Sequence, residues 1–327
     1  MVYHYCSWSF GNFSAETFLG RLGIYGVSIF YVLSGLTLFY VYKDKMKANW
    51  SDVSSFFKKR VFRIFPLLWL VTIVAILLSG KMPDIFDLVL NLTGIFGFVK
   101  WDAYFSAGVW SIGNELVFYV FFVLFMILLN RSKAILLLFS AIIFGLFIYF
   151  AFFKLTPDKI LGDQWKIYIN PLNQVFLFLG GFLIGHFSQN VKLKNNLTLA
   201  LLTTGLLIFT LFPAEGDQIL LVTGVNRLVF TACCFLICYC FYKLTIQPPQ
   251  FIHKPLTMLE KSSYSVYLLH PIIWTLTSGC VKLFSAHVFE LPTFARIIIA
   301  IPVSLVTSYF VYQYFEKYFM RLGRERK

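Results

Sequence analysis

Five side chains could carry chemistry from otherwise apolar surroundings: Arg60, Arg63, Glu115, Arg227 and His270. Arg60 and Arg63 stand in Phe56-Phe57-Lys58-Lys59-Arg60-Val61-Phe62-Arg63-Ile64-Phe65-Pro66, a basic cluster that runs straight into the apolar segment 67–78. Three residues apart, they share one helical face and can reach one ligand. Two readings stay open for the pair. Positive residues anchor one end of a membrane span, and paired guanidinium forks also suit a phosphate. An arginine at mid-depth of a bilayer costs roughly 2.5–3.5 kcal/mol, and less near the surface. Lys58 and Lys59 are read as anchors.

Glu115 lies a few residues inside its apolar run, in Trp110-Ser111-Ile112-Gly113-Asn114-Glu115. His270 closes Ser263-Tyr264-Ser265-Val266-Tyr267-Leu268-Leu269-His270-Pro271, about eight residues, or roughly 12 Å, into another. Pro271 removes a helix hydrogen bond there and frees a carbonyl. A neutral imidazole is a natural general base for a hydroxyl near neutral pH. Ionisable groups inside a membrane need partners, and each of these also has a purely structural reading as a polar contact between helices. Arg227, also within a span, could pair with a carboxylate elsewhere in the chain. His4, alone near the start of the chain, carries no signal by itself. No Gly-rich phosphate loop, Walker motif or nucleophilic-serine elbow is present. A donor gripped by arginines, with its reactive end threaded into the membrane, does not require one.

The elements that must position these groups are membrane helices. The 327 residues are 59% hydrophobic, 20% aromatic and only 13% charged, against about 25% charged in ordinary soluble domains. Unbroken apolar runs such as 134–153 exclude a barrel, and lipid requires backbone groups to be satisfied internally. The fold class is therefore all-α, a polytopic transmembrane helical bundle. The net charge of +13 does not point to nucleic acid, because the basic residues are interrupted by spans and form no soluble basic domain. Four of the six cysteines (Cys233, Cys234, Cys238 and Cys240) share one apolar run and are expected to be small buried hydrophobes. No cysteine–histidine spacing suggests a metal. A disulfide between Cys6 and Cys280 is one further option.

Nine apolar stretches, at about 22–43, 63–79, 108–129, 134–153, 171–188, 197–212, 219–242, 262–284 and 295–316, approach the ~20 residues a bilayer needs. A weaker one, 84–100, holds Asp87 and Asn91 and reads as interfacial or re-entrant. Charge supports that choice. With 84–100 not spanning, alternate loops collect Lys43 to Arg63, Arg131 and Lys133, Lys192 and Lys194, Lys243 to Lys261, and the tail from Lys317 to Lys327. The positive-inside rule then predicts nine spans and a cytoplasmic C-terminus, in a multi-pass inner-membrane protein. An odd count puts residue 1 outside, so a first transmembrane helix is expected to precede Met1, with residues 1–5 its outer remnant. With no linker and no internal repeat, residues 1–327 are read as a single membrane domain, N-terminally incomplete.

Four stretches together resemble the membrane-bound acyltransferase family 3, the O-acetyltransferases of bacterial surface polysaccharides. They are Gly26-Val27-Ser28-Ile29-Phe30-Tyr31-Val32-Leu33-Ser34-Gly35; the run from Arg60 to Pro66; Trp110-Ser111 with Glu115 and Phe118-Tyr119; and Ser263-Tyr264-Ser265 with Tyr267-Leu268-Leu269-His270-Pro271. The closing Tyr314-Phe315-Glu316-Lys317 is similar to the family's last-helix ending. The resemblance implies a ten-helix acyltransferase domain that moves an acyl group, most simply acetyl, from cytoplasmic acyl-CoA to a hydroxyl of a sugar or polysaccharide precursor. It implies that Arg60 and Arg63 hold the coenzyme A phosphates. It also implies that His4 sits where the family's first-helix base belongs, and that Glu115 orients the acceptor or the histidine. Ser34, Trp110, Ser111, Tyr267 and His270 are implied as substrate-contacting or supporting residues. The family's basic residue eleven positions before that histidine would precede Met1. The implied partners are acyl-CoA, a sugar or polysaccharide acceptor and the lipid bilayer, with no metal. A transporter or flippase of a lipid-linked sugar is the main rival, although it would predict inverted repeats. A catalytically inactive family member is the other.

Overall fold

The computed structural model describes residues 1–47, 49–287 and 292–324, without the side chains of 284–287. The basic tail residues Arg326 and Lys327 lie outside the described residues. The chain is all-helical, 79% helix with no strand among the described residues. In chain order the helices are α1 (Val2–Phe10), α2 (Phe18–Tyr42), α3 (Trp50–Ser79), α4 (Ile85–Thr93), α5 (Phe96–Val99), α6 (Val109–Arg131) and α7 (Lys133–Tyr149). There follow α8 (Trp165–Tyr168), α9 (Pro171–Ser188), α10 (Asn195–Leu211), α11 (Gly224–Lys243), α12 (Gln250–His287), α13 (Thr293–Phe310) and α14 (Lys317–Leu322). Two π-helical turns, Phe150–Lys154 after α7 and Val311–Glu316 after α13, interrupt the α-helical pattern.

All nine apolar stretches fall on helices. Among the described residues, eight segments are long and apolar enough to cross a membrane; α10, at 17 residues, is the shorter exception. The stretch at 84–100 does not span. It breaks into α4 and α5, of 9 and 4 residues, and at 1.5 Å per residue the longer covers only about 14 Å. Asp84 caps α4 by accepting from the Asp87 amide (3.1 Å), and Asn91 donates to Ala103 O (2.6 Å), folding the segment back on itself. Lys100 completes it with an ion pair to Asp87 at 2.7 Å, and that carboxylate holds the ammonium above its usual range.

The helices group into two compact units. The first comprises Met1–Asn12, Ser54–Ile112 and the residues from Gln247 on; the second comprises Phe13–Val53 and Gly113–Ile246. In the second, α2 and α9 pack backbone to backbone. A Cβ on Gly35 would sit 2.0 Å from Phe178 O, and one on Gly181 1.9 Å from Val32 O, so only glycine fits either crossing. Phe118, Phe122, Phe125, Phe178 and Phe182 fill the space around this crossing, edge to face or tilted. Arg21 closes the end of α10 by donating to Phe209 O, Thr210 O and Phe212 O (2.8, 2.6 and 2.7 Å) and to Ala15 O (2.9 Å). Among the described residues no carboxylate meets Arg227. It donates to Asn173 Oδ1 (2.7 Å) and Asn173 O (3.1 Å) and lies over the rings of Phe147 and Phe176. An amide and two ring faces hold the guanidinium without a buried counter-charge, and its Nη1 is left buried without a hydrogen-bond partner. Cys233, Cys234, Cys238 and Cys240 are buried, as their apolar run suggests. Cys6 and Cys280 are free thiols, so the optional disulfide is not formed.

In the first unit α12 is the organising element. It packs along α13, and α1 lies against α13. Both α3 and α12 begin well before their apolar stretches, so each carries a polar first part joined to a membrane part. Tyr264 of α12 donates to Ile64 O of α3 at 2.8 Å, while residues 271–275 of α12 and 75–79 of α3 line one cleft further along. The two helices therefore run side by side in the same direction.

Candidate active site

Along that α3–α12 pair the functional candidates fall into successive levels. At the basic end, Arg60 and Arg63 are one helical turn apart on α3, as their spacing predicts. Arg60 lies over the Phe56 ring at 5.5 Å, and Arg63 is exposed. At the same level Ser265 of α12 donates to the buried Glu316 carboxylate, which also lies in the electrostatic field of Arg63. Glu316 ends the π-helical turn after α13; such turns often re-aim a side chain at a functional site. It is an intramembrane acid that the sequence reading left without a role, because it sits at the last residue of an apolar run.

Six residues beyond Tyr264, about 9 Å along the helix, comes His270, with 0% of its surface exposed. Pro271 has no N–H, so the carbonyl of Tyr267 loses its helical donor. His270 Nδ1 lies 2.7 Å from that carbonyl and 3.2 Å from Val266 O. A carbonyl only accepts, so Nδ1 carries the proton and Nε2 presents a lone pair. His4 Nδ1 is 2.8 Å from that Nε2 and must donate to it. The remaining ring nitrogen, His4 Nε2, is therefore unprotonated and basic. The two rings are parallel within 4°, with centroids 5.0 Å apart.

Two further groups fix the pair. The Tyr5 hydroxyl donates to His270 O (3.0 Å) and lies 2.5 Å from Ser304 Oγ of α13, both residues being buried. Trp8 stacks on His4 at 5.2 Å and reaches His270 at 6.1 Å, while Trp274 packs on Tyr5 at 4.7 Å. Short as it is, α1 places His4, Tyr5 and Trp8 together because residues three and four apart share a face. Tyr267 turns the other way, its hydroxyl 2.7 Å from Ser111 Oγ and 3.0 Å from Gly108 O, next to the buried Trp110.

The sequence candidates thus separate. His4, His270, Tyr267, Ser111, Trp110, Arg60 and Arg63 belong to the first unit. Ser34 and Glu115 belong to the second, where Glu115 Oε1 accepts from Tyr119 (2.6 Å) and Ser34 (3.3 Å). The side chain that holds His4 is His270, which sequence reasoning treats only as support. Tyr5, Trp8, Trp274 and Ser304 were not singled out by the sequence. The stacked aromatics had a weak signal, a tryptophan four residues after each histidine, which a helix puts on the histidine's own face.

A histidine pair with one defined basic nitrogen, in a membrane helix bundle with arginines at one end, suits proton abstraction from a hydroxyl. A family model described as an acyltransferase domain, that of acyltransferase family 3, matches residues 1–313. The chain belongs to acyltransferase family 3. The match runs through every helix up to the π-helical turn after α13, so both units are parts of one family pattern and the multi-pass helical membrane architecture is that of an acyltransferase. No curated protein and no solved structure matches the chain.

Proposed function

We propose that this protein transfers an acyl group, most simply acetyl, from cytoplasmic acyl-CoA to a hydroxyl of a cell-surface sugar or polysaccharide precursor. The observation that carries the reading is the hydrogen bond from His4 Nδ1 to His270 Nε2, which leaves His4 Nε2 as the base. His4 takes the proton of the acceptor hydroxyl as its oxygen attacks the thioester carbonyl. The tetrahedral intermediate collapses with cleavage of the C–S bond, and the proton passes from His4 to the departing thiolate. The imidazolium formed in between is stabilised by its hydrogen bond to the His270 lone pair, and His270 is itself fixed by the Tyr267 carbonyl. Positioned base catalysis of this kind contributes typically 10²–10⁴ in rate.

Arg60 and Arg63 bind the coenzyme A phosphates at the basic end of α3, and the pantetheine arm carries the thioester along α12 towards the histidines. Topology supports the same direction: the positive loops put the Arg60–Arg63 end at the cytoplasm and the C-terminus there too. Purified protein in lipid nanodiscs, given labelled acetyl-CoA and a panel of glycosides, should yield acetylated glycoside. Hydrolysis of acetyl-CoA without any transfer, or no reaction at all, would sink the reading.

A further inference from the structure

Beyond the histidine pair, on the side away from the arginines, lies an open cleft of about 330 Å³. That is at the small end of ligand sites and suits one ring rather than a polymer segment. Its walls come from α1, α3, α12 and the turn before α6, all in the first unit. Trp8 and Trp274 face it with ring centroids 6.0 Å apart. Ser79, Ser106 and Thr275 contribute hydroxyls, and among the described residues no charged one lines it. The Thr275 hydroxyl already donates to Pro271 O (3.0 Å), so its lone pairs remain to accept from a ligand. Trp8 belongs both to the cleft and to the stack on His4, so a ligand against its ring lies one ring's width from the base.

We propose that this cleft is the acceptor subsite and that it takes a single uncharged pyranose ring. This rests on the acyltransfer reading for the identity of the reaction, although not for the binding itself. An indole face covers the apolar C–H face of a pyranose as it covers other apolar groups, and hydroxyls at the rim pair with the ring's hydroxyls. A uronate or a phosphorylated sugar would bring a charge into walls that offer it no partner, which is costly. The position fits as well. A donor arriving from the Arg63 end leaves the opposite side of His4 for the acceptor, and the cleft is there.

The test uses the whole protein in nanodiscs with methyl β-D-glucopyranoside and, as its charged counterpart, methyl β-D-glucuronide. Saturation-transfer NMR without acetyl-CoA should show the glucoside bound through the protons of one ring face and the glucuronide not bound. Trp8→Ala should weaken glucoside binding about tenfold or more, Trp8→Phe should restore most of it, and Thr275→Val, whose hydroxyl bonds the Pro271 carbonyl rather than either imidazole, should weaken it severalfold. Acetyl-CoA binding should stay unchanged in all three. In turnover the Thr275→Val effect should appear in the acceptor KM rather than in kcat. Unchanged glucoside binding in Trp8→Ala and Thr275→Val, or equal binding of the glucuronide, overturns the proposal. So does an altered preference among acetyl-, butyryl- and hexanoyl-CoA with the acceptor KM unmoved, since the cleft would then hold the acyl chain. Face-specific glucoside binding lost in the variants, in a protein that transfers nothing, supports the subsite and defeats only the acyltransfer reading.

Discussion

The second unit buries two arginines in its membrane helices, Arg21 and Arg227, and the first holds two at the basic end of α3, but the four are employed differently. Arg21 donates to four carbonyls, and Arg227 is taken up by one asparagine and two phenyl rings. Both are buried. Arg63 is exposed, and the acid that feels its field, Glu316, is engaged by Ser265. Across the second unit, backbone meets backbone through Gly35 and Gly181, and Glu115 accepts from Tyr119 and Ser34. In the first unit, side chains that exchange protons are joined to one another: His4 to His270, Tyr5 to Ser304, Tyr267 to Ser111. The lesson is that an ionisable residue in a membrane helix is not by itself a sign of chemistry. What its hydrogen bonds are spent on tells the two cases apart.

The contrast is sharpest at the histidines. His270→Ala removes the acceptor that fixes the His4 tautomer and should lower kcat by about 10²–10³, within the range of a lost positioned base. Arg21→Ala should lower the yield and melting temperature instead, since each orphaned carbonyl costs about 1–3 kcal/mol, while the protein that does fold keeps its kcat. Equal kcat losses in both, measured per folded molecule, would erase the distinction. Next in size, Arg63→Ala should weaken coenzyme A binding about 10–100-fold, as expected for charge-assisted hydrogen bonds of about 1.5–3 kcal/mol. Calorimetry with coenzyme A and with dephospho-coenzyme A would show whether phosphate contacts are what was lost. Gly181→Ala should destabilise the second unit by about 1–3 kcal/mol through the clash with Val32 O, leaving coenzyme A affinity as it was. Thermal unfolding in detergent reads that shift. The smallest effect belongs to Asp87→Asn, which breaks a solvent-screened ion pair whose lysine side chain is 44% exposed and should move the melting temperature little. The Lys100 ammonium is held above its usual range by Asp87, so the pair contributes fully below the ordinary lysine range and is lost as pH rises through the raised value. Stability of wild type and Asp87→Asn should therefore converge as pH is raised into the strongly alkaline range.

Much of this was legible in the sequence, and what was not has physical reasons. Apolar length alone located the nine helical stretches, and charge in the loops rightly kept 84–100 from spanning. Spacing placed Arg60 and Arg63 on one face because the helix repeat is local. The partnership of His4 with His270 joins residues 266 apart and depends on how α1 meets α12, which no local pattern encodes. Pro271 came closest to announcing it, since a proline must free the Tyr267 carbonyl; what the sequence could not say is that His270 itself would take it up. The carboxylate option for Arg227 was not taken, because a guanidinium can also be held by an amide and ring faces, a choice its local sequence does not reveal. Glu316 was overlooked because a position at the end of an apolar run does not reveal that a π-helical turn carries the side chain inward.

The central claim is that His4 Nε2 is the base for an acyl transfer from acyl-CoA. Single-turnover transfer of labelled acetyl from acetyl-CoA to glycoside, compared between the wild type and His4→Gln at matched coenzyme A occupancy, tests it directly. A fall of about 10²–10⁴ in the transfer rate with coenzyme A affinity intact is the predicted result. Transfer by His4→Gln at the wild-type rate would contradict it.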